Sequence, residues 1–315
     1  MNEAMLTAFV VAALAAAMPL LLTAIGETVG EQSGVLNIGL EGLMLVGAYA
    51  SFAVTLASGS FTLGFLCGAV AGALLSSLMA LLAVRLRASQ IVVGIGLTLA
   101  GTGLTSMLYD ASYADTRPHL PPPTPVPIGP LDAIPVLGPA LSTQPTAFYL
   151  TWVMLGFASL WLHHTGPGLR LRAAGQRPEA LAAVGGRVLR LRVGAVLFGG
   201  ATAGLGGTYL ALVSAGTFTP GMTHGLGFLA IVVAMLGRGR MLAVGGIALV
   251  YGIFVAIGTA LQLTTIELSN DVITMAPFVV VLIVLAAIGL KRTRGGQEAR
   301  PALPPALATP YPPGD

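Results

Sequence analysis

Long apolar runs, separated by short polar or basic segments, dominate the chain. Most runs approach the roughly 20 residues that an α-helix needs to cross the hydrocarbon core of a bilayer. The pattern therefore predicts an all-α, polytopic transmembrane helix bundle with about nine spans, in a range of about eight to ten. The run at 226–237 is short and is predicted to be a tilted, broken or half span. The predicted spans are 5–25, 34–57, 61–84, 90–109, 147–164, 194–215, 226–237, 241–262 and 272–290.

The composition excludes a soluble fold. Of the 315 residues, 55% are hydrophobic and 9% are charged, whereas soluble domains carry about 25% charged residues. A soluble core cannot bury this much apolar surface, so we interpret the chain as a multi-pass membrane protein. The 42 glycines favour close helix packing within a membrane.

The basic residues orient the predicted spans. Lys and Arg favour the cytoplasmic side of a membrane, and nine alternating spans leave only Arg117 among the loop positions on the other side. This arrangement predicts a cell (inner) membrane protein with its N-terminus outside and its C-terminus in the cytoplasm. The basic positions that the alternation places in the cytoplasm are Arg85, Arg87, Arg170, Arg172, Arg177, Arg187, Arg190, Arg192, Arg238, Arg240, Lys291, Arg292 and Arg294.

Two segments outside the spans are rich in proline. The predicted external loop at 110–146 contains ten prolines, which favour extended, polyproline-like backbone. The C-terminal segment 295–315 is rich in Pro and Ala and is predicted to be a disordered tail. Residues 1–294 are accordingly predicted to form one transmembrane domain.

A basic loop at 165–193, interrupted by Gly and Pro, can hold one short cytoplasmic helix at 178–184. Pro178 suits the first helical position, Glu179 suits the positive end of the helix dipole, and Gly185 can end the helix. The only lysine, Lys291, does not follow a Gly-rich phosphate loop, so the chain has no Walker A motif. Any ATP-driven step would need another subunit.

Polar residues and glycines concentrate at 26–42, around the start of the second predicted span. A carboxylate inside a span costs about 2.5–3.5 kcal/mol on insertion scales, which makes Glu41 a candidate functional residue. Two interpretations stay open: Glu41 braces a broken helix near the cytoplasmic interface, or it contacts substrate. On a helix Asn37 would share a face with Glu41, and Glu27 and Glu31 are predicted to face a cytosolic vestibule.

The candidates on the substrate pathway are Asn37, Glu41 and His224. His224 lies in the predicted outer segment 217–224, close to a predicted pore mouth. A gate or ligand contact is a reasonable role there. The pair His163 and His164 ends the fifth span and is interpreted as interfacial and solvated, so no metal site is predicted.

The segments 33–48, 168–180 and 225–238 form three motifs. They resemble those of ABC importer permeases for nucleosides and simple sugars, which are related to ribose and branched-chain amino acid permeases. The motifs occur in the family's order, and the resemblance covers about residues 20–290. In the second motif Gln176-Arg177 stands where the family usually has a pair such as Glu-Asn, so a more basic ATPase-facing surface is expected. Gly239-Arg240-Met241 also departs from the usual Trp-Asn-Pro-like continuation.

The resemblance implies a permease subunit that forms, with a second and different permease, the membrane pathway for a nucleoside or simple sugar. Separate ATPase subunits would bind ATP and Mg²⁺, and an extracytoplasmic solute-binding (lipo)protein would deliver the solute. The chain itself is then a transport subunit that binds no cofactor and is not an enzyme. The residues expected to couple it to the ATPase are Arg172, Gln176, Arg177, Pro178, Glu179 and Gly185.

The main alternative is a stand-alone, ion-coupled secondary transporter. Such a transporter needs a coupling-ion site, usually an acid inside a span, and Glu41 is the candidate for that role. A structural or assembly protein of the membrane, which would transport nothing, is the third class. Its weakness is that Gly and polar residues at broken spans cost packing for no evident gain.

Overall fold

The computed structural model describes residues 3–113, 115–126, 135–262, 279 and 303–311. The regular elements within these residues are helices, in agreement with the predicted all-α class. Two of them, α3 and α9, continue into π-helical turns at Ala80–Arg85 and Leu210–Ala215. The helices are α1 (Glu3–Ser33), α2 (Leu40–Ser58), α3 (Phe61–Met79), α4 (Gln90–Tyr113), α5 (Leu137–Ser142), α6 (Thr146–His164), α7 (Gly166–Gln176), α8 (Pro178–Ala183), α9 (Val188–Tyr209), α10 (Leu226–Gly237) and α11 (Met241–Gln262).

Seven of the described helices are long and apolar enough to cross a membrane, namely α1, α2, α3, α4, α6, α9 and α11. Helix α10 has 12 residues, which is about 18 Å at 1.5 Å per residue and too short to cross alone. The predicted span at 272–290 lies outside the described residues. The described part of the chain thus contains seven candidate spans and one half-length helix, and it does not confirm a count of nine.

The boundary between the first two spans differs from the prediction. The sequence predicts spans at 5–25 and 34–57, whereas α1 continues to Ser33 and α2 begins only at Leu40. Gly34 ends α1 with φ +90°, and its N–H donates a hydrogen bond of 2.9 Å to the carbonyl of Glu31. Polar residues can extend α1 because this end of the helix is surrounded by protein instead of lipid.

Helix α1 lies at the centre of the bundle. It packs against α9, α10 and α11, and every residue from 17 to 33 is buried. A helix that is buried on all sides carries no single apolar stripe, which explains why sequence periodicity alone does not place it.

Glycine contacts bring α2 close to two neighbouring helices. A Cβ added to Gly47 would lie 2.4 Å from the Cα of Gly204 on α9, and one added to Gly101 on α4 would lie 2.7 Å from the Cα of Gly42. Neither contact has room for a side chain, so these pairs set the spacing of α2, α4 and α9. This is the small-residue packing expected of membrane helices.

The Pro-rich loop and the C-terminal segment are more ordered than the sequence predicts. Within 110–146, residues 110–113 belong to α4 and Leu137–Ser142 forms α5. The sequence predicts disorder across 295–315, whereas residues 303–311 form turns against the 165–193 loop. Proline fixes the backbone of this segment. The N–H groups of Ala306 and Ala308 donate to carbonyls distant in sequence, and those of Leu307 and Thr309 donate within the segment.

Candidate coupling surface and substrate pathway

The 165–193 loop folds as two helices, α7 and α8, instead of one. The hydroxyl of Thr165 caps α7 by accepting a hydrogen bond of 3.2 Å from the N–H of Gly168. Arg177 breaks the helix with φ −146° and ψ 76°, and Pro178 then occupies the first turn of α8. The short helix predicted at 178–184 is therefore present, and α7 is an additional element.

The end of α8 is set by glycine. Gly185 has φ +78°, a conformation that L side chains rarely adopt. The N–H of Gly185 donates to the carbonyl of Ala182, and that of Gly186 donates to Leu181, both at 2.8 Å. These bonds satisfy carbonyls that the last turn of a helix leaves unpaired.

Leu181 anchors α8, while most of the predicted coupling residues face outward. Leu181 is buried with Ala174 and Val188, and Gln176, Arg177, Glu179 and Gly185 are exposed, with Pro178 half-buried. Arg172 is half-buried, and its Nε is buried without a hydrogen-bond partner among the described residues. The structure thus exposes most of the predicted coupling residues on one short segment, which we call the α8 surface (residues 176–185), while Arg172 lies in the preceding helix α7.

Val184 is a feature of the α8 surface that the sequence interpretation missed. Its side chain is 81% exposed at the end of a helix whose other apolar anchor is buried. An isolated exposed apolar residue needs no explanation by itself. The available signal was its position directly before Gly185, where the helix ends and the chain turns.

Glu41 is buried in the first turn of α2, where it holds the beginning of α10. One carboxylate oxygen accepts hydrogen bonds from the hydroxyl of Thr223 at 2.6 Å and the N–H of Gly225 at 2.7 Å. The other oxygen accepts one from the N–H of Gly227 at 2.7 Å. A carboxylate at a helix N-terminus satisfies unpaired N–H groups and interacts favourably with the helix dipole. Of the two interpretations that the sequence left open, these contacts agree with the one in which Glu41 braces a broken helix.

The segment 216–225 connects two distant levels of the bundle. At its start, Gly216 accepts a hydrogen bond of 2.7 Å from the N–H of Leu120 in the Pro-rich loop. At its end it reaches Glu41, and α10 then continues to Gly237. Gly239, two residues further on, lies against the side chain of Gln32 near the end of α1. Non-helical backbone followed by a half-length helix therefore takes the place of one continuous span. Such backbone is tolerated in a membrane where it is surrounded by protein or lines a cavity.

His224 lies in this segment but contributes a different surface from its neighbours. Its side chain is exposed and its backbone has φ +44°, while Thr223 beside it is completely buried. His224 thus follows Thr223 directly in the sequence, but its ring is not part of the hydrogen-bond network of Glu41.

Asn37 does not share a helix face with Glu41, because residues 34–39 are a loop. Its side-chain oxygen accepts a hydrogen bond from the N–H of Gly39, and its own N–H donates to Oε1 of Glu27, both at 3.0 Å. The N–H of Leu36 donates to Oε1 of Gln90 at 2.8 Å. Side chains of α1 and α4 thus fix this loop in place. Asn37 therefore contacts α1, and Glu41 contacts α10.

Glu27 and Glu31 do not face a vestibule. Both are buried in α1, and both carboxylate oxygens of Glu31 lack a hydrogen-bond partner among the described residues. The vestibule prediction fails because it assumed that α1 ends near residue 25. In the longer helix these positions lie inside the bundle.

Comparison with known proteins assigns the chain to a family. The family of the permease component of the branched-chain amino acid transport system matches residues 9–293. The chain belongs to this family of ABC transporter permeases. The resemblance drawn from the three sequence motifs is thereby confirmed, as is the assignment to multi-pass membrane transport proteins.

Similar proteins are permeases for different solutes. The guanosine ABC transporter permease protein NupQ of Bacillus subtilis is 33% identical over 294 residues, covering 89% of this chain and 91% of NupQ. The nucleoside ABC transporter permease protein NupC of Lactococcus lactis subsp. cremoris is 34% identical over 280 residues, covering 85% and 88%. A protein of Haloferax volcanii, provisionally named a glucose ABC transporter permease protein, is 34% identical over 270 residues, covering 85% and 80%. No solved structure gives a significant match to this chain.

Proposed function

We propose that this permease forms the membrane pathway for a nucleoside, together with a second, different permease chain. The supporting observation is that similarity to the guanosine and nucleoside permeases extends over 85–89% of the chain. A simple sugar is the second candidate, because the Haloferax volcanii relative carries a glucose permease name over a similar share of the chain.

The α8 surface is the proposed contact with an ATPase subunit. ABC permeases work with ATPases and solute-binding proteins, and in this proposal ATP and Mg²⁺ bind to the ATPase and not to this chain. A short helix with an anchored apolar residue and exposed Gln176, Arg177 and Glu179 can dock as a rigid unit. Basic residues on both sides of it agree with a cytoplasmic position, hence with an external N-terminus.

A continuous series of contacts connects α8 with the bundle interior. Gly175, at the end of α7, packs against the backbone of Gln32 at the end of α1. In α1, Glu27 holds the 34–39 loop, and Glu41 in the following helix holds α10. We propose that closure of the ATPase pair displaces α8 and that these contacts pass the movement to α10, so that access alternates across the membrane.

Aromatic side chains cluster between the middle of α2, the end of α4 and the segment 216–225, and the partly exposed rings of Tyr49 and Tyr113 suit a planar solute. The rings of Tyr49 and Phe218 are 5.4 Å apart between centroids, and those of Tyr109 and Phe218 are 5.5 Å apart. Tyr113 adds a partly exposed ring 6.3 Å from Tyr49. Neutral nucleosides bind through stacking surfaces and scattered hydrogen-bonding groups, and need no row of buried charges.

The test is uptake by the complete complex, purified with its native partners and reconstituted in vesicles. We expect ATP-dependent accumulation of labelled guanosine, adenosine or uridine, with no competition from glucose or leucine. Competition by glucose alone would shift the assignment to the sugar candidate. Proton- or sodium-driven uptake by the purified chain without an ATPase would instead support the secondary-transporter alternative, and would contradict the proposal.

A further inference from the structure

The C-terminal segment 303–311 binds three parts of the fold that meet beside α8. The N–H of Ala306 donates to the carbonyl of Gly175 at 3.1 Å, at the end of α7. The N–H of Ala308 donates to the carbonyl of Gly34 at 3.2 Å, in the turn after α1. Residues 303–311 therefore connect α7 to the end of α1.

Arg192, in α9, provides the third attachment. Its guanidinium donates to the carbonyl of Thr309 at 2.9 Å and to that of Ala174 at 3.5 Å. The residue is only 3% exposed, and burial of a charge is unfavourable unless hydrogen bonds compensate for it. Its Nε is buried without a partner among the described residues, so the arginine retains a donor beyond those two bonds.

An apolar contact holds the same segment against α8. Tyr311 is buried in a cluster with Ala174, Leu181 and Val188. Leu181 is the side chain that anchors α8, so the position of the C-terminal segment and the position of α8 depend on one shared contact.

A cavity of about 420 Å³ lies between α8 and the C-terminal segment. One wall consists of residues 176–180 and the other of residues 305–311, with Arg192 between them. Two arginines, Arg177 and Arg192, and one acid, Glu179, line the cavity, which gives it an excess of positive charge. We call this cavity the α8 socket.

We propose that residues 303–311 form part of the ATPase-docking surface, and that the α8 socket receives an acidic or other hydrogen-bond-accepting side chain of the ATPase subunit. This inference rests on the proposed docking of α8. The excess positive charge of the socket, from Arg177 and Arg192 against Glu179, favours an acceptor as occupant. The family match ends at residue 293, so the second wall of the socket lies outside the matched residues.

Two truncations of the full chain provide the test. One ends at residue 302 and removes the whole segment, and its matched control ends at Tyr311 and removes only residues 312–315. Each is expressed in the native membrane and purified under mild conditions, and the ATPase recovered per permease is measured. We expect truncation at 302 to lower ATPase recovery about tenfold, which corresponds to the loss of a few hydrogen bonds at an interface, and the control to match the intact chain.

A proximity measurement keeps the test valid if truncation impairs folding. In a Cys67→Ser background, Thr309→Cys places a thiol on the exposed side of the segment, next to the socket. A short bismaleimide reagent should then link the permease to the ATPase in the assembled complex. The same reagent should give no link after the C-terminal segment is removed.

The outcomes separate this inference from the function on which it rests. If the intact chain recovers no ATPase, the proposed function fails. If the intact and 302-truncated chains recover equal ATPase and Thr309→Cys forms no link, the docking role of 303–311 is wrong while the function stands. Higher ATPase recovery after truncation would also overturn it, because the segment would then shield α8 instead of extending its surface.

Discussion

At the scale of single residues, Glu41 is the side chain that connects α2 with the beginning of α10. It accepts three hydrogen bonds, of which two come from backbone N–H groups at the beginning of α10. Since the carboxylate is 7% exposed, water cannot readily replace a lost acceptor. Stability and transport are therefore expected to change together at this position.

We predict that Glu41→Gln destabilises the detergent-solubilised protein by about 1–3 kcal/mol and lowers uptake. Glutamine keeps the size of the side chain but directs an NH₂ group at one of the N–H donors that the carboxylate binds. Thermal unfolding followed by size-exclusion chromatography measures the effect. Glu3→Gln, at an exposed position near the start of α1, is the control, and equal melting curves for the two variants would contradict the bracing role.

Thr223→Val provides a second prediction at the same site. Loss of the 2.6 Å hydroxyl bond should destabilise the protein by about 1 kcal/mol, and its effect should not add to that of Glu41→Gln. Thr259→Val, which removes an exposed bond of 3.1 Å to the preceding turn of α11, is the control. Additive effects in a double-mutant cycle would show that the two side chains do not interact.

The sequence identifies Glu41 as a candidate, but not its partners. An acid in an apolar segment is visible in one sequence because its insertion is costly. Thr223, Gly225 and Gly227 lie 182 to 186 positions away, and no local signal connects them to α2. The prediction that Asn37 shares a helix face with Glu41 is wrong because the residues after Gly34 form a loop. The N–H groups of this loop donate hydrogen bonds to side chains of α1 and α4.

At the scale of elements, prediction succeeds where the signals are local. Pro178, Glu179 and Gly185 lie within one short segment, and they predict α8 almost to the residue. The end of α1 was missed because polar residues near it remain helical only through burial by other helices. Burial by helices that are distant in sequence produces no hydrophobic periodicity in the sequence.

We predict that Glu179→Arg in α8 impairs transport without affecting membrane insertion. The residue is exposed in the first turn of α8, so reversal of its charge changes the docking surface and not the core. Uptake should fall several-fold at equal expression, as expected for an added repulsive charge at an interface. Glu3→Arg is the control with the same charge change at the other end of the chain, and unchanged uptake for Glu179→Arg would remove Glu179 from the docking surface.

The end of α8 gives a further prediction. Gly185→Ala forces a side chain into the left-handed region at φ +78°, at a cost of about 1–2 kcal/mol, whereas Asn tolerates that region better. ATPase recovery and uptake should therefore decrease in the order Gly, Asn, Ala at this position. Gly194→Ala is the control, because a Cβ there meets no other atom within 4 Å. An alanine variant as active as the native chain would show that the α8 terminus need not be fixed.

At the scale of the whole molecule, the fold class and family follow from the sequence, while the exact path of the chain does not. Apolar runs are enough to predict the fold class, and three motifs are enough to predict the family. The fold class and the family are both confirmed. In the sequence, only the short length of the apolar run at 226–237 indicates a broken span. The position of segment 216–225 and of α10 depends on contacts with Glu41 and the Pro-rich loop, which are distant in sequence. Orientation still rests on charge distribution alone.

Thiol labelling tests that orientation. In a Cys67→Ser background, Val184→Cys lies on the α8 surface and Leu137→Cys lies on α5, and the native side chains are 81% and 52% exposed. If the basic loops are cytoplasmic, a membrane-impermeant maleimide should label position 137 in intact cells and position 184 only after permeabilisation. The reverse pattern would place α8 on the external face, where no ATPase could reach it. Because α8 and residues 303–311 share the apolar cluster that contains Leu181 and Tyr311, Thr309→Cys should label under the same conditions as position 184.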